Sequence, residues 1–191
     1  MINYYLIILI FFILIFIFLN KNNLVYIEGQ NGLKFLINED TDKQNKIKLL
    51  SKIIENMYKL KNYMVYNINK FPEYKEYINQ LNENFTEKRT TIYETDPTSD
   101  LTSFSVNKGE ELSICLKSKK TGELHDINLL MYVVIHEMAH FACPDVGHGL
   151  LFKKIFRKFI EEAININLYK KVDYSEHPVE YCGMTLSSSI I

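Results

Sequence analysis

Two histidines and a glutamate near residue 140 have the spacing of a metal-binding helix. His136, Glu137 and His140 form an H-E-x-x-H pattern inside an apolar run. On an α-helix, residues four positions apart lie on the same face, so both imidazoles can bind one metal ion. Zinc suits two histidine nitrogens and, in catalytic sites, takes a third protein ligand and a water. The pattern therefore predicts a zinc site in which Glu137 is the general base for a zinc-activated water.

Two other interpretations of this pattern remain open: a structural metal site, and core histidines that find hydrogen bonds within the protein. The neighbouring residues are apolar, including Ile135, Met138 and Ala139, which indicates a helix buried on most sides. Burial of two imidazoles and a carboxylate carries a desolvation cost unless these groups have partners. A metal ion offsets that cost, so a catalytic Zn²⁺ site is the favoured prediction.

A third zinc ligand is expected shortly after the motif. His148 lies in the run C-P-D-V-G-H-G, where a proline and a glycine end the helix and let the chain turn back. Glycines on both sides of His148 permit a close approach of the backbone. Glu161 and Glu162 are the main alternatives, because some zinc peptidases take a glutamate from further along the chain. His148 is therefore the predicted third ligand. Asp145 and Cys143 are weaker options, and the alternative for His148 is an exposed loop histidine without a role.

The sequence around the motif predicts both helices and short strands. Apolar residues recur at helical spacing, and Asp126 is a plausible N-cap for the motif helix, which ends before Pro144. Predicted helices cover residues 46–64, 72–85, 127–142 and 150–168. Hairpins are predicted over residues 24–38 and 103–116, with a short strand at 90–93 and an irregular tail after Lys171. This mixture predicts an α+β fold.

The N-terminus predicts a membrane anchor over residues 1–20. Residues 4–19 read YYLIILIFFILIFIFL and carry no charge. The length of this run is at the short end of what spans a bilayer. Residues 1–20 contain no Lys, Arg, Ala, Gly or Ser, which favours an uncleaved anchor over a signal peptide. The first basic residue is Lys21, so the positive-inside tendency places the domain over residues 21–191 on the cytoplasmic side. We therefore expect a single-pass membrane protein, in a host or virion membrane if the chain is viral.

Overall charge and cysteine content exclude some classes of protein. The formal net charge is −1, which gives no electrostatic case for nucleic-acid binding. Cys115, Cys143 and Cys182 are an odd and widely spaced set, so the sequence predicts no disulfide framework and a reducing compartment.

The run HEMAHFACPDVGHGLLFKKIF resembles the WLM and SprT-like zinc metallopeptidases. Those families pair an H-E-x-x-H helix with a third histidine just beyond a short loop, and a phenylalanine commonly follows four residues later, here Phe152. The resemblance implies a small zincin-like domain in which His136, His140 and His148 bind zinc and Glu137 is the general base. The runs SVNKGEELSICL, EEAININLYKKVDY and HPVEYCGM also resemble uncharacterised proteins of large DNA viruses.

A few further residues have expected positions. Tyr181 and His177 would donate to a developing oxyanion if the tail folds over the site, although a structural role is the default for each. His125 is predicted at the surface. The resemblance further suggests that the strand over residues 111–116 forms the rim of the cleft and pairs with an extended substrate peptide.

These observations favour a zinc metallopeptidase that hydrolyses peptide bonds in a protein or peptide substrate. The alternative is a membrane-anchored metal-binding protein with a structural or interaction role and no turnover. Glu137 favours the enzyme, because a carboxylate at that position is not needed to hold zinc.

Overall fold

The computed structural model describes residues 8–12, 24–29 and 32–190. Residues 8–12 are helical, and the rest of the predicted anchor lies outside the described residues. Among the described residues, no helix is long and apolar enough to cross a membrane. The anchor and its orientation therefore stay predictions.

A five-stranded mixed sheet forms one part of the fold, with the strand order β1-β2-β3-β5-β4. The strands are β1 (Leu24–Glu28), β2 (Lys34–Asn38), β3 (Thr91–Glu94), β4 (Phe104–Val106) and β5 (Glu111–Ile114). The outer pairs β1–β2 and β4–β5 are antiparallel, and both confirm the predicted hairpins. The inner pairs β2–β3 and β3–β5 are parallel, with helical crossovers between β2 and β3.

Four α-helices confirm the helical predictions with small shifts at their ends. They are α1 (Lys43–Tyr66), α2 (Lys75–Asn84), α3 (Ile127–Ala142) and α4 (Leu150–Asn165), with short 3₁₀ segments at Ile68–Lys70 and Pro72–Tyr74. The predicted α+β class is therefore confirmed, and its sheet is mixed.

The motif helix α3 lies at the centre of the helical layer. It packs against α1, α2 and α4 and buries apolar side chains on most of its faces, including Leu130, Val134 and Ile135. The Asp126 side chain accepts a hydrogen bond from the Asn128 backbone N–H, as expected for an N-cap. A helix held on so many sides is a rigid platform for the residues that it presents to the cleft.

The C-terminal tail differs from the sequence prediction. It forms a third hairpin of β6 (Val179–Tyr181) and β7 (Met184–Leu186), with Cys182 and Gly183 in its turn at φ values of 50° and 90°. The strands are only three residues long, which is too short to show a clear alternating pattern in sequence.

A disulfide joins Cys115 to Cys182 and attaches the C-terminal hairpin to the sheet. The sequence predicted no disulfide framework and missed this bond, because two cysteines 67 residues apart become neighbours only when the tail folds back. Cys143 is buried and free. The prediction of a reducing compartment loses its basis, since disulfides persist mainly in oxidising environments.

His125 is also placed differently from the prediction. It is buried, and its Nε2 accepts a hydrogen bond from the Cys182 backbone N–H at 3.1 Å. This partner comes from the far end of the chain, so the local sequence gives no sign of it.

Candidate metal centre

Three histidine side chains meet at one point above α3. His136 and His140 are one helical turn apart, and their Nε2 atoms lie 3.2 Å from each other. His148 comes from the loop between α3 and α4, and its Nε2 lies 3.0 Å from that of His136 and 3.1 Å from that of His140. Within the part of the chain that the structure describes, this is the one group of three potential ligand residues close enough to hold a metal ion.

The donor set fits zinc in both type and spacing. Zinc–imidazole bonds of 2.0–2.1 Å in a tetrahedral site imply nitrogen–nitrogen separations of about 3.3 Å. The observed separations of 3.0–3.2 Å are close to that value. Each neutral imidazole offers either one proton or one lone pair at Nε2, so three such atoms cannot all satisfy one another. A cation bound by all three lone pairs resolves this conflict.

Two of the rings are held in the neutral form that binds metals. Burial lowers the pKa of His136 to about 3, and the neighbouring rings of His140 and His148 add to this effect. Burial likewise lowers the pKa of His140 to about 4, followed by the effects of His148 and the Lys108 ammonium. Metal binding needs deprotonated nitrogen, so these rings need not lose a proton near neutral pH.

Phe152 fixes the orientation of the imidazoles. It lies in the first turns of α4, and its ring stacks on that of His140 at 4.2 Å between centroids. The same ring meets His136 at 4.9 Å and His148 at 4.8 Å, edge to face. One buried phenylalanine thus contacts all three rings and limits their rotation, at the position that the family resemblance marks.

Glu137 lies beside the histidines and is almost completely buried. It is 5% exposed, and its Oε2 accepts a hydrogen bond from Ser105 Oγ at 2.8 Å. Burial raises the pKa of Glu137 to about 7, although the hydrogen bond from Ser105 acts in the opposite direction. A carboxyl group that titrates near neutral pH can both accept and return a proton.

An open cleft of about 790 Å³ runs past the three histidines and Glu137. Its walls come from α3, from β4 and its turn, from the His148 loop and from the C-terminal hairpin. The apolar part of the lining includes Phe104, Val133, Val146, Met184 and Leu186. The site is therefore accessible to a large molecule. Besides Glu137 and the histidines, the charged residues of the lining are Lys108 and Asp145.

The rim of the cleft differs from the prediction in one respect. β5 lies between β3 and β4, so its backbone is paired on both sides. The strand at the sheet edge is β4, which carries Ser105 and lines the cleft. The hairpin prediction was correct, but the sequence does not reveal which of its two strands pairs with β3.

The other candidate ligands lie elsewhere or have other partners. Glu161 is exposed on α4. Glu162 is buried, accepts from Lys158 Nζ at 2.5 Å and from Tyr63 Oη at 3.3 Å, and is not in the histidine group. Asp145 lines the cleft but is exposed, and Cys143 is buried.

Of the two candidate oxyanion donors, the structure brings only Tyr181 to the cleft. Its hydroxyl shares a hydrogen bond with Ser103 Oγ and donates to the carbonyl oxygen of Cys115 at 3.3 Å. Burial raises the pKa of Tyr181, so the phenol keeps its proton. His177 is exposed and does not line the cleft.

Sequence reasoning missed two polar residues of this site, Ser105 and Lys108. Both lie on the β4–β5 hairpin, about thirty residues before the motif in the sequence. Their types and spacing carry no sign that they meet α3. Only the position of β4 at the sheet edge next to the cleft brings them there.

Comparisons with known proteins place the chain among viral relatives. No model of a known protein family matches it. It is similar to "Uncharacterized protein R325" of Acanthamoeba polyphaga mimivirus, with 42% identity over 172 residues, which cover 90% of this chain and 86% of that protein. A shorter similarity, 38% over 69 residues, links it to "Uncharacterized protein 136R" of Invertebrate iridescent virus 6 and covers 35% of this chain and 38% of that protein.

Among solved structures, the fold is similar to the crystal structure of Wss1 from Saccharomyces cerevisiae. The TM-score is 0.48 at 15% sequence identity, over 69% of this chain and 88% of the Wss1 chain.

Proposed function

The chain belongs to the same family as protein R325 of Acanthamoeba polyphaga mimivirus, and we propose that it is a zinc-dependent metallopeptidase with a zincin-like site. The observation that carries this proposal is the convergence of three imidazole nitrogens beside a buried glutamate in an open cleft. When bound, zinc would acidify water and polarise a peptide carbonyl. The proposed ligands are His136, His140 and His148.

Glu137 is the proposed general base. Ser105 holds Oε2, while Oε1 has no hydrogen-bond partner among the described residues. Oε1 is thus free to take a proton from the attacking water and to return it to the leaving amine. The glutamate follows His136 directly on α3, so the helix fixes its position relative to the histidines.

The proposed substrate is a peptide segment in extended form. β4 is an edge strand on the cleft, and its outer side is open to pair with an added strand. Val133 on α3 and Met184 and Leu186 on β7 line the cleft near Glu137, so we expect apolar side chains to be preferred there. An open edge strand beside the metal centre supports a substrate that is a chain rather than a small solute.

A membrane anchor over residues 4–19 remains part of this proposal. The positive-inside tendency favours the cytoplasmic side for the rest of the chain. The Cys115–Cys182 disulfide is typical of an oxidising compartment and favours the opposite side. Protease protection of the full chain in sealed vesicles distinguishes these two orientations.

The test of the enzymatic role is substitution of Glu137. Glu137→Gln should retain zinc and lose about 10²- to 10⁴-fold in peptidase activity, because the base is lost while the ligands remain. Glu161→Gln, on the exposed side of α4, is the matched control and should keep both properties. Zinc bound with no activity in the wild-type protein over a broad peptide panel would instead indicate a metal-binding protein without turnover.

A further inference from the structure

The turn between β4 and β5 has an unusual backbone at the edge of the metal centre. Asn107 and Lys108 both have positive φ angles, 48° and 56°, and Gly109 follows at 102°. A lysine in this left-handed region carries a conformational cost, and such costs persist where surrounding contacts impose them.

The Lys108 side chain bridges two backbone carbonyls of the loop that carries His148. Its Nζ donates to the carbonyl oxygen of Cys143 at 2.5 Å and to that of Asp145 at 2.7 Å. Cys143 is the C-cap of α3, where carbonyls lack partners within the helix and a cation is favourable. One ammonium thus ties the helix end to the first part of the loop between His140 and His148.

The turn itself is fixed to α3, so this bridge starts from a rigid position. A side chain added at Gly109 would meet the Phe141 ring at 3.1 Å and the Asn84 carbonyl oxygen at 3.2 Å. Asn84 in turn donates from Nδ2 to the carbonyl oxygen of Phe141 at 2.8 Å. The turn, α2 and the end of α3 are therefore packed together within one residue of Lys108.

His148 has few other restraints from its own loop. It is exposed, as are its loop neighbours Asp145 and Val146, the latter to 95%. An exposed loop without apolar anchors is mobile unless its backbone is held. Lys108 holds that backbone from the side of β4, while Phe152 contacts the imidazole ring from the side of α4.

We propose that Lys108 is a positioning residue for the third zinc ligand: by binding the carbonyls of Cys143 and Asp145, it holds the loop so that His148 meets His136 and His140. The inference rests on the proposed zinc site but not on peptidase activity. Lys108 touches neither the ion nor the substrate in this role, and it acts through the loop backbone.

The first test is the zinc affinity of Lys108→Met in the full chain, measured by competition with a chromophoric chelator. Residues that support a ligand typically contribute about 10- to 100-fold to metal affinity, and we expect a loss in that range. Lys108→Arg keeps a cation with several donors and should recover part of the affinity. Wild-type affinity in Lys108→Met would overturn the proposal.

Lys119→Met is a matched control. Lys119 Nζ also donates to two backbone carbonyls, those of Ser99 and Leu101, but that loop carries none of the three histidines. Its removal should leave zinc affinity unchanged. An equal loss in both variants would show that any lysine bridge of this kind supports the fold as a whole, and would overturn the specific role of Lys108.

A double-mutant cycle isolates the route of the effect. In a His148→Ala background, Lys108→Met should cause no further loss of zinc affinity, since the ligand that it positions is gone. The same fold loss in both backgrounds would contradict the proposal. Amide hydrogen exchange of residues 143–149 without zinc is a second measurement, and it should be faster in Lys108→Met than in the wild type. Failure of the wild type to bind zinc would instead remove the proposed function.

Discussion

Two clusters of polar side chains in this fold are satisfied in different ways. Where β2 and β3 end, Lys46 is fully buried, and its Nζ donates to Glu94 Oε2 at 2.8 Å and to the carbonyl oxygen of Asn38 at 2.7 Å. The Asp40 carboxylate lies 2.9 Å from the same ammonium. This cluster joins opposite charges that all come from the chain itself.

The histidine cluster brings together three groups of the same kind. Their nitrogens converge to within 3.2 Å, and no arrangement of their protons satisfies all three at once. In our proposal this cluster is complete only when a cation binds. The difference separates a structural network, which needs nothing from outside, from a site that is organised around a ligand.

The largest expected effect on stability is in the first cluster. Glu94→Gln leaves the fully buried Lys46 with Asp40 as its remaining carboxylate partner. Breaking a buried pair costs about 3–5 kcal/mol when the remaining charge is unpaired, so we expect a loss of about 3 kcal/mol, at the lower end of that range. Urea denaturation should therefore show a much lower free energy of unfolding than the wild type. Zinc affinity should be unchanged in the fraction that stays folded. If the folded fraction of Glu94→Gln also bound zinc more weakly, the two clusters would not be independent.

Zinc removal should have a somewhat smaller effect, confined to the second cluster. With free zinc at 100 times the dissociation constant, binding adds about 2.7 kcal/mol to stability. A chelator should thus lower the melting temperature of the wild type and leave that of His136→Ala unchanged. If the chelator leaves the melting temperature of the wild type unchanged, the histidines need no ion.

Ser105→Ala tests the hydrogen bond to Glu137 and should have a smaller effect again. Loss of the bond frees the carboxylate to rotate, so we expect kcat to fall about tenfold, or about 1.4 kcal/mol in activation free energy. KM and zinc content should stay close to wild-type values, and Ser105→Thr should restore much of the rate. A change in KM alone would show that Ser105 contacts substrate rather than orienting the base.

The smallest expected effect is a pH dependence of stability from His125. Burial lowers the pKa of His125 below its ordinary value of 6.5, so the unfolded chain takes up this proton at a higher pH than the folded one. Stability from the neutral ring is therefore present above the unfolded pKa and is lost as pH falls through the folded pKa.

Comparison of His125→Gln with the wild type measures this contribution, because the zinc-site histidines are common to both chains. The difference in unfolding free energy between the two proteins should shrink from about pH 8 to about pH 5. A constant difference would show that the imidazole does not titrate with unfolding.

The sequence predicted the elements whose signals are local. α3 was placed correctly because Asp126, the apolar run and Pro144 mark its ends within a few residues. The approach of His136 to His140 follows from helix geometry alone. The convergence of His148 was expected from the glycines around it, and the structure brings it, rather than Glu161 or Glu162, to the pair.

What the sequence did not predict depends on contacts between distant segments. The disulfide and the burial of His125 both follow from the fold-back of the tail, whose two strands are too short to be recognised. Ser105 and Lys108 reach the site because β4, and not β5, lies at the sheet edge. Strand order is set by packing of the whole sheet and cannot be taken from one hairpin.

X-ray absorption at the zinc edge of the purified full chain tests the central claim most directly. The three-histidine site predicts one zinc per chain, with the scattering pattern of three imidazole rings at about 2.0–2.1 Å and one further oxygen or nitrogen neighbour. A sulfur neighbour, fewer than three imidazoles, or a chain that holds no zinc would contradict the assignment of His136, His140 and His148 as the metal centre.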